Sequence, residues 1–205
     1  MKNRFAAITA LLCASTIFHS CAVSENAVTV KNEGAATSNQ LSKTCFVQLN
    51  DGSIKQYHSL KLVTGVLTKP HLVANDKEVI NTKDIIAYQD KSHYAVAAKL
   101  LTGKRSGAVP TETLPGFAVK ILSGKLNLYR RSYYNGANTT AAYFLQEGEE
   151  GHIIAYSKEA LQIMLGEDKK ALHYFNSKTK KAAQSKIIIA TVAMYNGNSQ
   201  LLTKN

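Results

Sequence analysis

Cysteine is scarce in this 205-residue chain, and that scarcity excludes a disulfide framework. Of the three cysteines, Cys13 and Cys21 lie at the N-terminus and only Cys45 lies in the body of the chain. Long apolar runs are lacking beyond the N-terminus, so no later segment reads as a membrane span. His58, His71, His93, His152 and His173 lack paired spacing, and no HExxH or CxxC occurs, so no metal centre is expected. No P-loop, Gly-x-Gly-x-x-Gly or Gly-x-Ser-x-Gly elbow is present, and no cofactor is expected. Acidic residues are few, 14 against 25 Lys and Arg, and none follows Asp168.

What is present begins with an address. Lys2 and Arg4 precede an uncharged apolar run from Phe5 to Phe18, and His19, Ser20 and Cys21 follow. A basic start, a short apolar stretch and small residues at a cut are the layout of a secretory signal peptide, expected here over residues 1–20. The run is too short to span a bilayer, which takes about 20 apolar residues. Removing Lys2 and Arg4 with the signal lowers the formal charge from +11 to +9. Residues 21–43 are polar and aperiodic and read as a disordered tether. About 20 flexible residues reach on the order of 25 Å, enough to hold a folded body clear of a membrane surface.

The body reads as α+β, with a sheet-rich first part and helices at the end. Residues 44–99 form a small β-rich unit, barrel-like or a bent sheet, with strands expected at 45–49, 54–63, 71–74, 78–80, 84–88 and 93–96. The turn Asn50-Asp51-Gly52-Ser53 separates the first two. Residues 100–116 hold Gly103, Gly107, Pro110 and Pro115 and read as an exposed loop or linker, cleavable at Lys104-Arg105. A second unit, 117–198, is a β-meander followed by two or three helices, and residues 199–205 fray. Its strands are expected at 119–122, 126–134, 142–146 and 152–156. Ser157 and Asp168 are expected to cap helices over 158–165 and 169–176. The stretch 178–195 carries the β-branched run Ile187 to Val192, yet its length and alanines favour helix over strand.

Two resemblances attach to these residues. Phe18-His19-Ser20-Cys21 resembles the lipobox of bacterial lipoproteins, with Phe18 where that family usually has Leu. The resemblance implies acylation of the Cys21 thiol, which becomes the mature N-terminus. A cut after Ala22 by an ordinary signal peptidase is the alternative. The polar tether that follows favours the lipid anchor. Gly124 to Tyr129, Tyr143 to Gln146 and Tyr195-Asn196 make residues 117–198 similar to a family of uncharacterised exported bacterial proteins, whose resemblance implies architecture and no activity.

Candidate chemistry is sparse. Cys45 is the one thiol nucleophile to consider, but in an apolar strand it is expected to be inert. Glu147, Glu149 and Glu150 could supply a glycosidase pair, though a solvated turn explains them more simply. No catalytic residue is therefore assigned. Arg130, Arg131, Tyr133 and Tyr134 form the binding candidate, since Arg and Tyr stack on sugars or grip acidic groups. The competing explanation is an edge strand guarded by its charges. Lys178, Lys180 and Lys181 are further candidates, in a tail end that would favour anionic lipid or glycan. The lysines lack the base-stacking aromatics of an RNA-binding sheet, so nucleic acid is not an expected partner. The expected protein is exported and anchored at the cell envelope, either as a non-catalytic interaction or structural module or as an envelope-polymer hydrolase.

Overall fold

Turn chemistry sets the first hairpin. In the computed structural model, which describes residues 44–65, 67–98, 109–134, 136–177 and 184–197, Gly52 takes a positive φ of 82°. The Asp51 carboxylate accepts from the Ser53 amide and hydroxyl. Strand β1 (Cys45–Leu49) thereby returns antiparallel as β2 (Ile54–Tyr57), with Cys45 opposite Tyr57. The expected signal, Cys21, the tether, Lys104-Arg105, Lys178, Lys180, Lys181 and the end of the chain lie outside the described residues.

The single strand expected over 54–63 is two strands in two sheets. The chain breaks at His58 and Ser59, whose amides both point at Asn75 Oδ1, at 3.0 and 3.4 Å. Beyond the break, β3 (Leu60–Val63), β4 (His71–Ala74) and β5 (Glu78–Ile80) form a small antiparallel sheet of their own. Asn75 and Asp76, with φ of 50° and 63°, make the left-handed turn between β4 and β5. Asn75 thus turns one hairpin with its backbone and fixes the exit from another with its side chain.

The chain then re-enters the main sheet as β6 (Ile85–Gln89) and β7 (Tyr94–Ala97). Strands β8 (Val109–Pro110), β9 (Phe117–Leu122), β10 (Leu126–Tyr134), β11 (Thr139–Glu147) and β12 (Ile154–Ala155) follow. The order is β2-β1-β6-β7-β9-β10-β11-β12, antiparallel throughout, with β8 paired to the far end of β10. The two stretches expected as separate β units therefore share one sheet, joined where β7 pairs with β9 through Ala95, Val96 and Ala97. That sheet is open, and no barrel closes among the described residues.

The described part of the expected linker is mostly packed, with only Thr111 and Pro115 exposed. Residues 109–110 are paired in β8, and Thr113 and Leu114 are buried. Thr113 Oγ1 donates to the Phe117 carbonyl, and the Leu114 amide donates to the Tyr88 hydroxyl. Leu114 joins Cys45, Val47, Leu72, Tyr88 and Phe117 in the core at the β1 end of the sheet.

Helices α1 (Lys158–Leu165), α2 (Lys169–Ser177) and α3 (Gln184–Tyr195) follow the sheet. Ser157 Oγ accepts from the Ala160 amide, and Asp168 Oδ1 accepts from the Ala171 amide, satisfying amides that a helix start leaves unpaired. The β-branched run lies in α3 as helix. Apolar nearly all round, that helix buries Ile187, Ile188, Thr191, Val192 and Ala193. Leu161, Leu165, Phe175 and Val192 pack with Leu122, Leu126, Leu128 and Leu145 from one face of β9–β11. The fold is α+β.

Candidate functional site

Strand β10 carries most of the polar chemistry, and its pairing with β11 sorts that chemistry onto two faces. Leu128 faces Leu145, Arg130 faces Tyr143 and Ser132 faces Ala141, all on the side that bears the helices. Asn127 faces Gln146, Tyr129 faces Phe144 and Arg131 faces Ala142 on the other. β10 is an interior strand, held by β9 and β8 on one edge and β11 on the other, so its arginines do not guard an edge.

On the helix side the sheet runs past the start of α3 and leaves a cleft of about 760 Å³. Arg130, Ser132, Tyr143 and Tyr156 line it, with Gln184 and Ile188 from α3. Glu112 lines it as well, as do the sequence candidates Arg131 and Tyr133. The Thr111 amide donates to the Ser132 carbonyl, which extends the β8 pairing and brings the next residue beside Arg130. Arg130 Nε and Nη2 donate to the two Glu112 carboxylate oxygens at 3.1 and 3.0 Å, a two-pronged pair. Both side chains stay near 30% exposed, so the pair is within reach of a solute. The Tyr156 amide donates to the Tyr143 carbonyl, and both tyrosines rest their inner parts on the helix-side core. Tyr134 is partly exposed, and its hydroxyl donates to the Gly136 carbonyl. Arg131 and Tyr133 are buried, the Arg131 guanidinium 4.8 Å from the Tyr133 ring centre.

The opposite face holds a buried polar network. The Tyr129 hydroxyl donates to Gln146 Oε1, which also accepts from Asn127 Nδ2. Gln146 Nε2 donates to the Glu149 and Gly151 carbonyls, and Asn127 Nδ2 donates to the Gly148 carbonyl, so the β11–β12 turn is held by side chains. Lys120 Nζ reaches Glu149 at 2.7 Å and lies 5.5 and 5.7 Å from the ring centres of Tyr94 and Tyr129. Two aromatic faces and one carboxylate replace water around a largely buried ammonium. Burial, with the Glu149 charge second, pushes the Tyr129 and Tyr94 hydroxyls above the ordinary phenol range. The acidic turn is thus more than solvated, since Glu149 closes this network.

The turn between β9 and β10 is clasped by the end of α3. The Leu126 amide donates to Asn196 Oδ1, and Asn196 Nδ2 donates to the Leu126 and Ser123 carbonyls. Only glycine fits opposite, because a Cβ on Gly124 would sit 2.5 Å from Asn196 Cγ.

Of the other sequence candidates, Cys45 is fully buried in the core. Among the described residues no His, Cys, Asp and Glu gather as a metal site, and no helix is long and apolar enough to cross a membrane. Sequence reasoning did not single out Glu112, Lys120, Tyr143 or Tyr156 as site residues. One signal was available, since Glu112 is the lone carboxylate between Asp90 and Glu147 in a stretch rich in Lys and Arg. Comparison of the chain with protein-family models, with curated proteins and with solved structures finds no match among any of them.

Proposed function

We propose that this chain is an exported envelope protein, held to a membrane by a lipid on Cys21, whose folded body is a non-catalytic binding module acting through the Arg130 cleft. The Arg130–Glu112 pair carries this reading. It is a preset arrangement of donors and acceptors at the mouth of a cleft, the kind of group that recognises rather than attacks. Hydrolysis of an envelope polymer would call for a free carboxylate pair or an accessible thiol with a base. Here Glu112 is tied to Arg130, Glu149 to Lys120, Glu147 and Glu150 are exposed at the β11–β12 turn and do not line the cleft, and Cys45 is enclosed in the core. The lipobox-like Phe18-His19-Ser20-Cys21 and the polar segment after it support the anchor. In a bacterial host the protein is expected in the membrane fraction, and Cys21→Ser is expected to move it to the soluble fraction with its fold intact. Retention of folded Cys21→Ser protein in the membrane fraction would contradict the lipid anchor.

A further inference from the structure

The geometry points to an uncharged oligosaccharide as the ligand of the Arg130 cleft, an inference that rests on the cleft being the binding surface proposed above. Charge selects the class. An anion would have to displace Glu112, which already occupies Nε and Nη2 of Arg130 with both carboxylate oxygens, because Arg131, the other cation of the lining, is buried with its guanidinium against the Tyr133 ring. With the pair intact the two groups cancel in charge, yet neither is exhausted. A guanidinium has five N–H donors, and this contact uses two, while each carboxylate oxygen keeps a lone pair. Adjacent donors and acceptors of no net charge match sugar hydroxyls, each of which donates and accepts.

The walls agree with that class. Tyr143 and Tyr156 are half-buried, anchored in the core on one side and facing the cleft on the other. Aromatic faces pack against the C–H faces of sugar rings while the hydroxyls are bonded at the edge. Ser132 and Gln184 add further polar groups to the lining. A volume of about 760 Å³ lies within the usual range for small-molecule sites and suits a few linked rings.

The test is calorimetric titration of the mature chain, purified in detergent, with chitotetraose, cellotetraose and maltotetraose, and with tetragalacturonate as the acidic counterpart. At least one neutral tetrasaccharide is expected to bind at millimolar concentration, and more tightly than tetragalacturonate. Tyr156→Ala and Arg130→Lys are each expected to weaken it about tenfold, equivalent to ~1.4 kcal/mol. Arg130→Lys keeps the charge beside Glu112 but loses the planar fork. Glu112→Gln frees the Arg130 charge and is expected to reverse the preference towards tetragalacturonate. Far-UV circular dichroism establishes that each variant is folded. Tighter Arg130-dependent binding of tetragalacturonate by the unaltered protein would overturn the inference. So would failure of every neutral tetrasaccharide to bind, or binding indifferent to both cleft variants. The Cys21→Ser fractionation reads the anchor separately, so loss of the anchor and loss of the ligand are distinguishable.

Discussion

Removing the Asn196 amide should cost more stability than its position near a helix end suggests. Asn196 follows α3 directly, yet its side chain works as a short piece of strand. It accepts from the Leu126 amide at 3.0 Å and donates to the Leu126 carbonyl at 2.8 Å, with a longer bond to Ser123 at 3.4 Å. Pairing of β10 with β9 begins at Leu128, so Asn196 serves the Leu126 backbone groups on that side. Asn196→Ala leaves one backbone donor and two acceptors without these bonds. A buried unmet group costs about 1–3 kcal/mol. Because Asn196 is only half-buried, water recovers part of that, and the total expected is about 2–3 kcal/mol. At about 2–4 °C per kcal/mol for a chain of this size, Tm should fall by roughly 4–12 °C. With no Trp in the chain, urea unfolding is best followed by far-UV circular dichroism. Asn196→Asp should be at least as damaging, since it keeps the acceptor but sets a carboxylate against two carbonyls. Gly124→Ala forces a Cβ to 2.5 Å from Asn196 Cγ and should destabilise on its own. In the Asn196→Ala background that clash is gone, so the double variant should recover about 1 kcal/mol relative to the sum of the singles. An Asn196→Ala loss below about 0.5 kcal/mol, or strict additivity with Gly124→Ala, would refute the clasp.

Two further effects follow from the buried polar groups. Burial holds the Tyr88 and Tyr129 protons on in the folded state, while the unfolded chain releases them near the ordinary pKa of about 10. Above that pH the unfolded state binds fewer protons, so stability should fall as pH rises past about 10. An unchanged urea midpoint between about pH 9 and 11 would contradict this. At the Lys120–Glu149 pair the ammonium is the buried partner and the carboxylate the exposed one. Glu149→Gln leaves a buried charge without its counterion and should cost about 1–2 kcal/mol, whereas Lys120→Met fills the slot between two rings and should cost less. The reverse order of urea midpoints would show that the aromatic faces alone sustain Lys120.

Local order was readable from the sequence wherever a short motif set it. The turn at Asn50–Ser53, the bounds of β10 and the caps at Ser157 and Asp168 follow from residues within a few positions of one another. Long-range pairing was not readable in this way. The β7–β9 contact that fuses two expected units, and the short β8 strand inside an expected linker, depend on which strands meet in space. The break at His58-Ser59 was hidden because the side chain that makes it, Asn75, lies 16 and 17 positions away. At the cleft, Arg130, Arg131 and Tyr133 stood out in the sequence, but the partner that neutralises Arg130 did not. Glu112 sits 18 positions away with no pattern linking it to Arg130, and of the two ligand classes the sequence left open, sugars and acidic groups, its charge favours the proposed neutral sugar.

Intact-mass analysis of the protein purified from the membrane fraction tests the proposed anchorage most directly. A mature chain beginning at Cys21 and heavier than its sequence by the mass of acyl chains is the expected result. An unmodified chain beginning at Val23 would contradict it.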